Sequence, residues 1–174
     1  MKLETGKIHV YTGNGKGKTT AAIGLAIRAA GAGLGVFIAQ FIKKNGYSEL
    51  KALREFGSRI TLEQYGTGCF ILKEPAPPDI AAARQGLEKV REVLCGGDYP
   101  LVILDEACVA LYFKLFSVEE LLDALNSRPE NVEVVLTGRY APEALIHAAD
   151  LVTEMKEVKH YYTQGLAART GIEK

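Results

Sequence analysis

The sequence has few cysteines and no excess of charge, and both absences exclude classes of protein. Its cysteines, Cys69, Cys95 and Cys108, are scattered and form no Cys-x-x-Cys pair. We therefore expect neither a disulfide framework nor a zinc site. Lysine plus arginine and aspartate plus glutamate are equal at 21 each, which argues against a nucleic-acid partner or an anionic membrane held by bulk charge.

Long apolar runs are also missing. No stretch approaches the ~18 uninterrupted apolar residues of a membrane span, and residues 1–6 contain no apolar signal core. We expect a cytoplasmic protein with no membrane partner. With 174 residues, 48% of them hydrophobic, the chain fits a single α/β domain over residues 1–174.

The most informative stretch is residues 11–20, YTGNGKGKTT. It follows an apolar run and precedes an alanine-rich segment, as in a strand, a glycine-rich turn and a helix start. Such a turn directs backbone N–H groups at an anion, while Lys18 supplies a cation and Thr19 a hydroxyl for magnesium. Only Thr12 departs from the usual motif, which has glycine there. The pattern favours a nucleoside triphosphate site, and the alternative is a flexible surface turn.

The rest of the chain alternates strand and helix patterns. Strands are predicted at residues 8–11, 36–41, 60–65, 101–106, 132–136 and 150–155, and helices at 18–30, 48–56, 79–94, 107–116, 118–125 and 142–148. This alternation predicts a parallel sheet. We expect Asp79 to cap its helix, Ser117 and Glu120 to form a capping box, and Pro142 to begin the last helix. Residues 66–78 form either a functional or a merely exposed loop, and residues 158–172 are not assigned.

Two further strands are predicted to end in charged residues. Asp105 and Glu106 follow an apolar run, and Arg139 follows another. Ligands of open parallel sheets lie beyond the carboxyl ends of the strands, where a carboxylate can hold magnesium. Arg139 can bind triphosphate there or pair with a surface carboxylate. The aromatic residues of segment 111–116 are interpreted as core, with a cofactor pocket as the alternative.

These features alone leave three classes of protein open. A kinase normally adds an arginine-rich lid, and no such segment is evident. An ATPase can use Glu106 to position water, and a nucleotide sensor needs only the binding elements.

An ordered set of motifs narrows this choice. It comprises residues 6–22, QFIK at 40–43, LDE at 104–106, LNSRP at 125–129, LTGR at 136–139, ADLVTE at 149–154 and VKH at 158–160. In these motifs, and over nearly its whole length, the chain resembles the P-loop class of ATP:corrinoid (cob(I)alamin) adenosyltransferases. The resemblance implies a RecA-like P-loop NTPase fold with a mostly parallel sheet flanked by helices.

The implied reaction is transfer of the 5′-deoxyadenosyl group of ATP to Co(I) of a corrinoid, with release of triphosphate, in adenosylcobalamin biosynthesis or salvage. The runner-up is a P-loop ATPase or a nucleotide-dependent regulatory protein. Carried over by position, the resemblance implies Lys18, Thr19 and Glu106 as catalytic residues, with Thr19 and Glu106 holding Mg²⁺. The implied ATP-binding residues are Gly13, Asn14, Gly15, Lys16, Gly17, Lys18, Thr19, Thr20 and Arg139.

The resemblance also implies how the corrinoid is held. No Asp-x-His-x-x-Gly motif surrounds a histidine here, in agreement with a family that leaves cobalt without a protein histidine. We expect Phe70 and Ile71 to contact the lower face of the corrinoid. Because cobalt itself is the nucleophile, we assign no acid–base role to His9, His147 or His160. A homodimer and an electron donor, a flavoprotein, are the implied partners.

Overall fold

The computed structural model describes residues 2–44, 48–68, 71 and 74–173. Its six strands are β1 (Ile8–Thr12), β2 (Val36–Phe41), β3 (Ile60–Tyr65), β4 (Leu101–Asp105), β5 (Glu133–Thr137) and β6 (Leu151–Glu154). Its six α-helices are α1 (Lys18–Gly31), α2 (Glu49–Arg54), α3 (Pro77–Gly96), α4 (Ala107–Tyr112), α5 (Val118–Asn126) and α6 (Glu143–Ala148). Two short 3₁₀ turns lie at Gly57–Arg59 and Tyr161–Gln164. All six predicted strands are confirmed, with ends shifted by one residue at most.

The strands form one sheet in the order β3-β2-β4-β5-β1-β6, and every pairing is parallel. The strand that leads into the glycine-rich turn, β1, is separated from the strand that ends in Asp105, β4, by β5. All carboxyl ends share one edge of the sheet. The predicted parallel α/β architecture is therefore confirmed.

Helices cover both faces of the sheet because its central strands are apolar on both sides. On one face, α1 packs with Ala22, Ala26 and Ala30 against Ile38 and Ile103. The other face carries α3, α4, α5 and α6 over a larger cluster that includes Phe41, Leu104 and Leu136. Small side chains on α1 let it approach the sheet closely, and this sets the glycine-rich turn directly above the strand ends.

Three predicted helix details differ. Asp79 is not the N-cap: α3 begins at Pro77, and the Asp79 carboxylate accepts a hydrogen bond of 2.9 Å from the N–H of Ala76. Pro142 precedes α6 as its N-cap. The helix predicted to reach residue 116 ends at Tyr112, since Lys114 has a φ of 54°. The capping box is confirmed by Ser117 and Glu120, each of which accepts a hydrogen bond from the other's N–H.

Within the described part of the chain, no helix combines the length and the apolar character that a membrane crossing requires.

Candidate functional site

The glycine-rich turn lies between β1 and α1 and is held by the end of β6. The N–H of Gly15 donates to the carbonyl of Met155 over 2.6 Å. A Cβ added at Gly13 would lie 2.5 Å from that same carbonyl oxygen, and a Cβ added at Gly15 would lie 2.6 Å from it. Gly13 and Gly17 also have φ values of 95° and 118°, which L side chains rarely adopt. Glycine is therefore required here by the neighbouring strand as well as by the turn itself.

Lys18 opens α1 and points back into the turn. Its ammonium group donates to the carbonyl of Gly13 over 2.7 Å and to that of Gly15 over 2.6 Å. The residue is only 9% exposed, and this burial lowers the pKa of Lys18. The Lys18 ammonium group is thus held inside the turn, next to the N-terminus of α1. The helix dipole makes this N-terminus attractive to anions.

Asp105, at the end of β4, joins residues from three other segments, which are the start of α1, the end of β2 and the end of β5. Its Oδ1 accepts hydrogen bonds from the hydroxyl groups of Thr19, at 2.8 Å, and Thr137, at 2.7 Å. Its Oδ2 accepts from Gln40 Nε2 at 3.1 Å and from Lys43 Nζ at 2.8 Å. With the residue 1% exposed, these bonds compensate a buried carboxylate. The sequence analysis did not include Asp105 in the metal set, although its position beside Glu106 was a signal.

Glu106 follows immediately but faces a different environment. Its φ of 61° turns the chain sharply before α4, and its N–H donates to Thr137 Oγ1 over 3.0 Å. Burial raises the pKa of Glu106 and the neighbouring Asp105 raises it further, while Lys43, Lys18 and Arg139 oppose the rise. The carboxylate therefore lies among three cations and lines the cleft described next.

A cleft of about 870 Å³ extends from the turn along the carboxyl edge of the sheet. The predicted residues on its wall are Gly15, Lys16, Gly17, Lys18, Thr19, Thr20, Ile71, Glu106 and Arg139. Gly13 and Asn14 are not on this wall; Gly13 contributes the carbonyl that holds Lys18. Phe70 lies outside the described residues, so its predicted role has no structural description.

The cleft also has an apolar wall that the sequence analysis did not identify as part of the site. It consists of Ile42, Val109 and Phe113, together with the predicted Ile71, while Ile23 lines the cleft from α1 on the opposite face of the sheet. Phe113 packs partly against the core, as predicted, and also lines the cleft, so the cofactor-pocket alternative stays a prediction for this residue. A cleft with one charged end and one apolar side suits a ligand pair of matching character.

The carboxyl-terminal segment, unassigned from sequence, closes over the turn. Lys16 Nζ donates to Glu173 Oε1 at 2.8 Å, to Tyr161 Oη at 3.0 Å and to the carbonyl of Ile172 at 3.0 Å. Arg169 and Tyr161 also donate to the Glu173 carboxylate, and these bonds together hold the pKa of Glu173 well below its usual range. An acidic side chain is thus placed beside a lysine of the turn.

Of the three histidines, only His160 lines the cleft. His9 pairs with Glu133 at 2.7 Å, and His147 lies exposed near Glu143 on α6. The expectation that no histidine takes part in acid–base chemistry stays a prediction, and it now concerns His160 in particular.

The polar lining of the cleft combines cationic side chains with hydroxyl and carboxylate oxygens. Among the described residues, no group of three or more histidine, cysteine, aspartate or glutamate side chains could hold a metal ion. The hydroxyl of Thr19 and the carboxylates of Asp105 and Glu106 are nevertheless the oxygen donors that Mg²⁺ prefers, and Mg²⁺ commonly completes its shell with phosphate oxygens and water. The donor set therefore fits a magnesium ion bound together with a nucleotide.

Comparison with known proteins gives consistent results. The family model for ATP:corrinoid adenosyltransferase BtuR/CobO/CobP matches residues 4–173. Corrinoid adenosyltransferase of Escherichia coli is 37% identical over 173 residues, covering 98% of this chain and 86% of that protein. Corrinoid adenosyltransferase of Pseudomonas aeruginosa is 36% identical over 171 residues, covering 98% and 84%.

A solved structure gives a fold comparison. The flagellar accessory protein FlaH from Methanocaldococcus jannaschii superimposes with a TM-score of 0.61 at 13% identity, covering 87% of this chain and 72% of that one. At this identity the likeness supports the P-loop fold alone.

Proposed function

The chain belongs to the ATP:corrinoid adenosyltransferase family BtuR/CobO/CobP, and we propose that its cleft is where ATP and a reduced corrinoid meet. The reaction class is adenosyl transfer from ATP to the corrinoid, in cobalamin biosynthesis. Both substrates are assigned to a single domain over residues 1–174, since the described strands form one sheet.

The observation that carries the proposal is the charged end of the cleft. Lys18 lies inside the curl of the turn, and Thr19 and Glu106 lie beside it. The leaving group of adenosyl transfer is triphosphate, a polyanion. We assign its binding to Gly15, Lys16, Gly17, Lys18, Thr19, Thr20 and Arg139, which all line the cleft, and to Asn14 from the sequence-based expectation. Their oriented N–H groups and cations stabilise the charge that develops as the carbon–oxygen bond breaks.

We assign a magnesium ion to Thr19 and Glu106, with Asp105 as a further oxygen donor beside Thr19. When bound, magnesium supplies positive charge to the triphosphate. Asp105 orients the Thr19 hydroxyl through their 2.8 Å hydrogen bond, and Glu106 contributes its carboxylate from the cleft wall.

The apolar wall is assigned to the corrinoid. Ile71, Ile42, Val109 and Phe113 offer a water-poor surface next to the triphosphate site, with Phe70 expected nearby. The nucleophile is the cobalt of the substrate, so no protein base is needed. What the protein provides is proximity: the reacting cobalt and the 5′-carbon of ATP are held together in one cleft.

Partners and location are part of the same proposal. Co(I) has to be supplied by an electron donor, for which we propose a flavoprotein, in the cytoplasm where ATP is present and thiols stay reduced. We propose a homodimer, because the edge strand β6 leaves Leu151 and Val152 42% exposed and Ile146 of the preceding helix α6 is also exposed. Sedimentation equilibrium that gives a monomer at micromolar concentration would contradict the dimer.

The phosphate products test the assigned chemistry. The protein is incubated anaerobically with ATP, Mg²⁺ and chemically reduced corrinoid, and the products are separated by anion exchange. We expect one triphosphate for each corrinoid consumed. ADP and orthophosphate in place of triphosphate would indicate a P-loop ATPase and overturn the assignment.

A further inference from the structure

Lys43 contacts the oxygens assigned to magnesium. Its ammonium lies 2.8 Å from Asp105 Oδ2 and 3.2 Å from Thr19 Oγ1, and its side chain is 12% exposed. We propose that Lys43 competes with the divalent cation for the Thr19–Asp105 pair, so that metal alone binds weakly and gains the pair only when it arrives with nucleotide. The inference rests on the magnesium site of the proposed function.

The backbone directs Lys43 to this place. Ile42 has a φ of 68°, and the N–H of Lys43 donates to the carbonyl of Phe41 over 2.7 Å, which closes a three-residue turn. Positive φ is costly for a β-branched residue and persists only where surrounding structure enforces it. The tight turn at the end of β2 swings the next side chain back over the sheet edge.

A neighbouring glycine accommodates this turn. A Cβ added at Gly66, just after β3, would lie 2.1 Å from the carbonyl oxygen of Ile42. Any other residue at Gly66 would push the turn away. The strained residue and the close glycine together keep Lys43 over Asp105, so its contact is built into two adjacent strand ends and does not depend on a flexible side chain alone.

Charge explains why a cation is placed there. Asp105 is fully buried, and a buried carboxylate is costly without a positive partner. Lys43 provides that partner. A metal ion that takes the same oxygens has to displace an ammonium group already within hydrogen-bond distance of them.

The nucleotide offers Lys43 a second partner. Lys43 lines the same cleft as Lys16 and Lys18, within the region assigned to the triphosphate. Phosphate oxygens are strong acceptors for a lysine ammonium. When metal and nucleotide bind together, Lys43 exchanges the carboxylate for phosphate, and the charge balance of the site is kept.

The test uses Mn²⁺ alone as the probe, with free Mn²⁺ measured by electron paramagnetic resonance. We compare the wild-type protein with Lys43→Met and Lys43→Gln, which remove the charge. Lys43→Arg retains the charge, and Lys44→Met removes the neighbouring exposed lysine as a matched control. We expect Lys43→Met and Lys43→Gln to bind Mn²⁺ at least about tenfold more tightly than wild type, from loss of one charge-assisted hydrogen bond. Lys43→Arg and Lys44→Met are expected to match wild type.

A second titration separates the possible failures. With ATP present, we expect Mn²⁺ to bind wild type and Lys43→Gln with similar affinity, because the nucleotide relieves the competition. Unchanged affinity for Mn²⁺ alone in a folded Lys43→Met or Lys43→Gln would overturn the competition while leaving the metal site intact. If wild type with ATP retains no Mn²⁺ beyond that bound by ATP in solution, the proposed metal site itself is overturned, and the competition with it.

Discussion

Asp105 and Glu106 are adjacent acids with different surroundings. Asp105 is 1% exposed and accepts four side-chain hydrogen bonds. Glu106 is turned by its positive φ toward the cleft. We infer a division of labour in which Asp105 fixes the relative positions of Thr19, Thr137 and Gln40 and offers an oxygen to metal only when Lys43 is displaced, whereas Glu106 faces the cleft directly.

The first prediction concerns Glu106. Glu106→Gln keeps the shape of the side chain but removes the charge assigned to magnesium, so we expect kcat for adenosyl transfer to fall by at least about a hundredfold. Nucleotide affinity measured by calorimetry with EDTA present should change little, because Lys18 and the turn still bind the phosphates. Glu143→Gln, which removes an exposed carboxylate on α6, is the matched control. A Glu106→Gln variant with wild-type kcat would remove this residue from the site.

The residues predicted from sequence are those that belong to continuous motifs. Lys18 and Thr19 were identified from one stretch of ten residues, and Glu106 from the end of one apolar run. The partners of Asp105 were not predicted as a set, because Gln40 and Lys43 lie at the end of β2 and Thr137 at the end of β5, and these ends meet β4 only through the sheet order. The spacing of these residues along the chain does not indicate that they lie close together.

Elements were predicted well where a single pattern decides them. Strand ends agree to within a residue, since apolar runs bounded by turn residues mark them clearly. Helix starts were predicted less well, because more than one residue near a start can begin the helix. Pro77 suits a first helical turn, so α3 begins there and Asp79 is its third residue and not its N-cap. The contact of the carboxyl-terminal segment with Lys16 involves residues more than 140 positions apart, and no local pattern indicates it.

Steric requirements of the glycine-rich turn give the second prediction. In Gly15→Ala, the added Cβ would meet the backbone of Met155 at 2.6 Å. We expect the turn to shift, with about 1–3 kcal/mol lost from the free energy of unfolding and at least about tenfold weaker ATP binding.

Gly24→Ala provides the matched control, since a Cβ at this exposed position of α1 meets nothing within 4 Å. It should raise the free energy of unfolding by about 0.5–1 kcal/mol and leave ATP affinity unchanged. Thermal melts and calorimetry measure both quantities. Wild-type ATP affinity in Gly15→Ala would show that the turn tolerates a side chain and contradict the geometry.

The carboxyl-terminal segment gives the third prediction. Glu173 places a carboxylate on Lys16 beside the triphosphate region, so Glu173→Gln should remove a repulsive charge and release Lys16. We expect ATP to bind about two- to fivefold more tightly. Glu157→Gln, at another exposed glutamate, is the control; unchanged or weaker ATP binding in Glu173→Gln alone would contradict this effect.

The direction of the shift in the pKa of Glu173 determines how its contact with Lys16 depends on pH. Because hydrogen bonds to Arg169, Lys16 and Tyr161 hold the pKa of Glu173 low, the contact is fully present above the ordinary glutamate pKa of about 4.5. It is lost only as the pH falls through the lowered value. The difference in ATP affinity between wild type and Glu173→Gln should therefore be constant from about pH 5.5 to 8; a change in this window would contradict the assigned cause.

At the scale of the whole molecule, the order of the strands creates the site. Placing β5 between β1 and β4 brings Thr137 against Asp105 and leaves the glycine-rich turn, Glu106 and Arg139 around one cleft. The sequence predicted a parallel sheet with its ligand beyond the carboxyl ends of the strands, which is a rule of the fold class. It did not predict the strand order or the apolar wall, since both depend on packing between distant segments.

The measurement that tests the central claim most directly follows the cobalt itself. The protein is mixed anaerobically with ATP, Mg²⁺ and chemically reduced cob(I)alamin, the Co(I) absorption band is recorded over time, and the product is then exposed to light. The account predicts that the band decays only when both ATP and protein are present, and that the product is destroyed by light, as a cobalt–carbon bond requires. Persistence of the Co(I) band under these conditions, or a product insensitive to light, would contradict it.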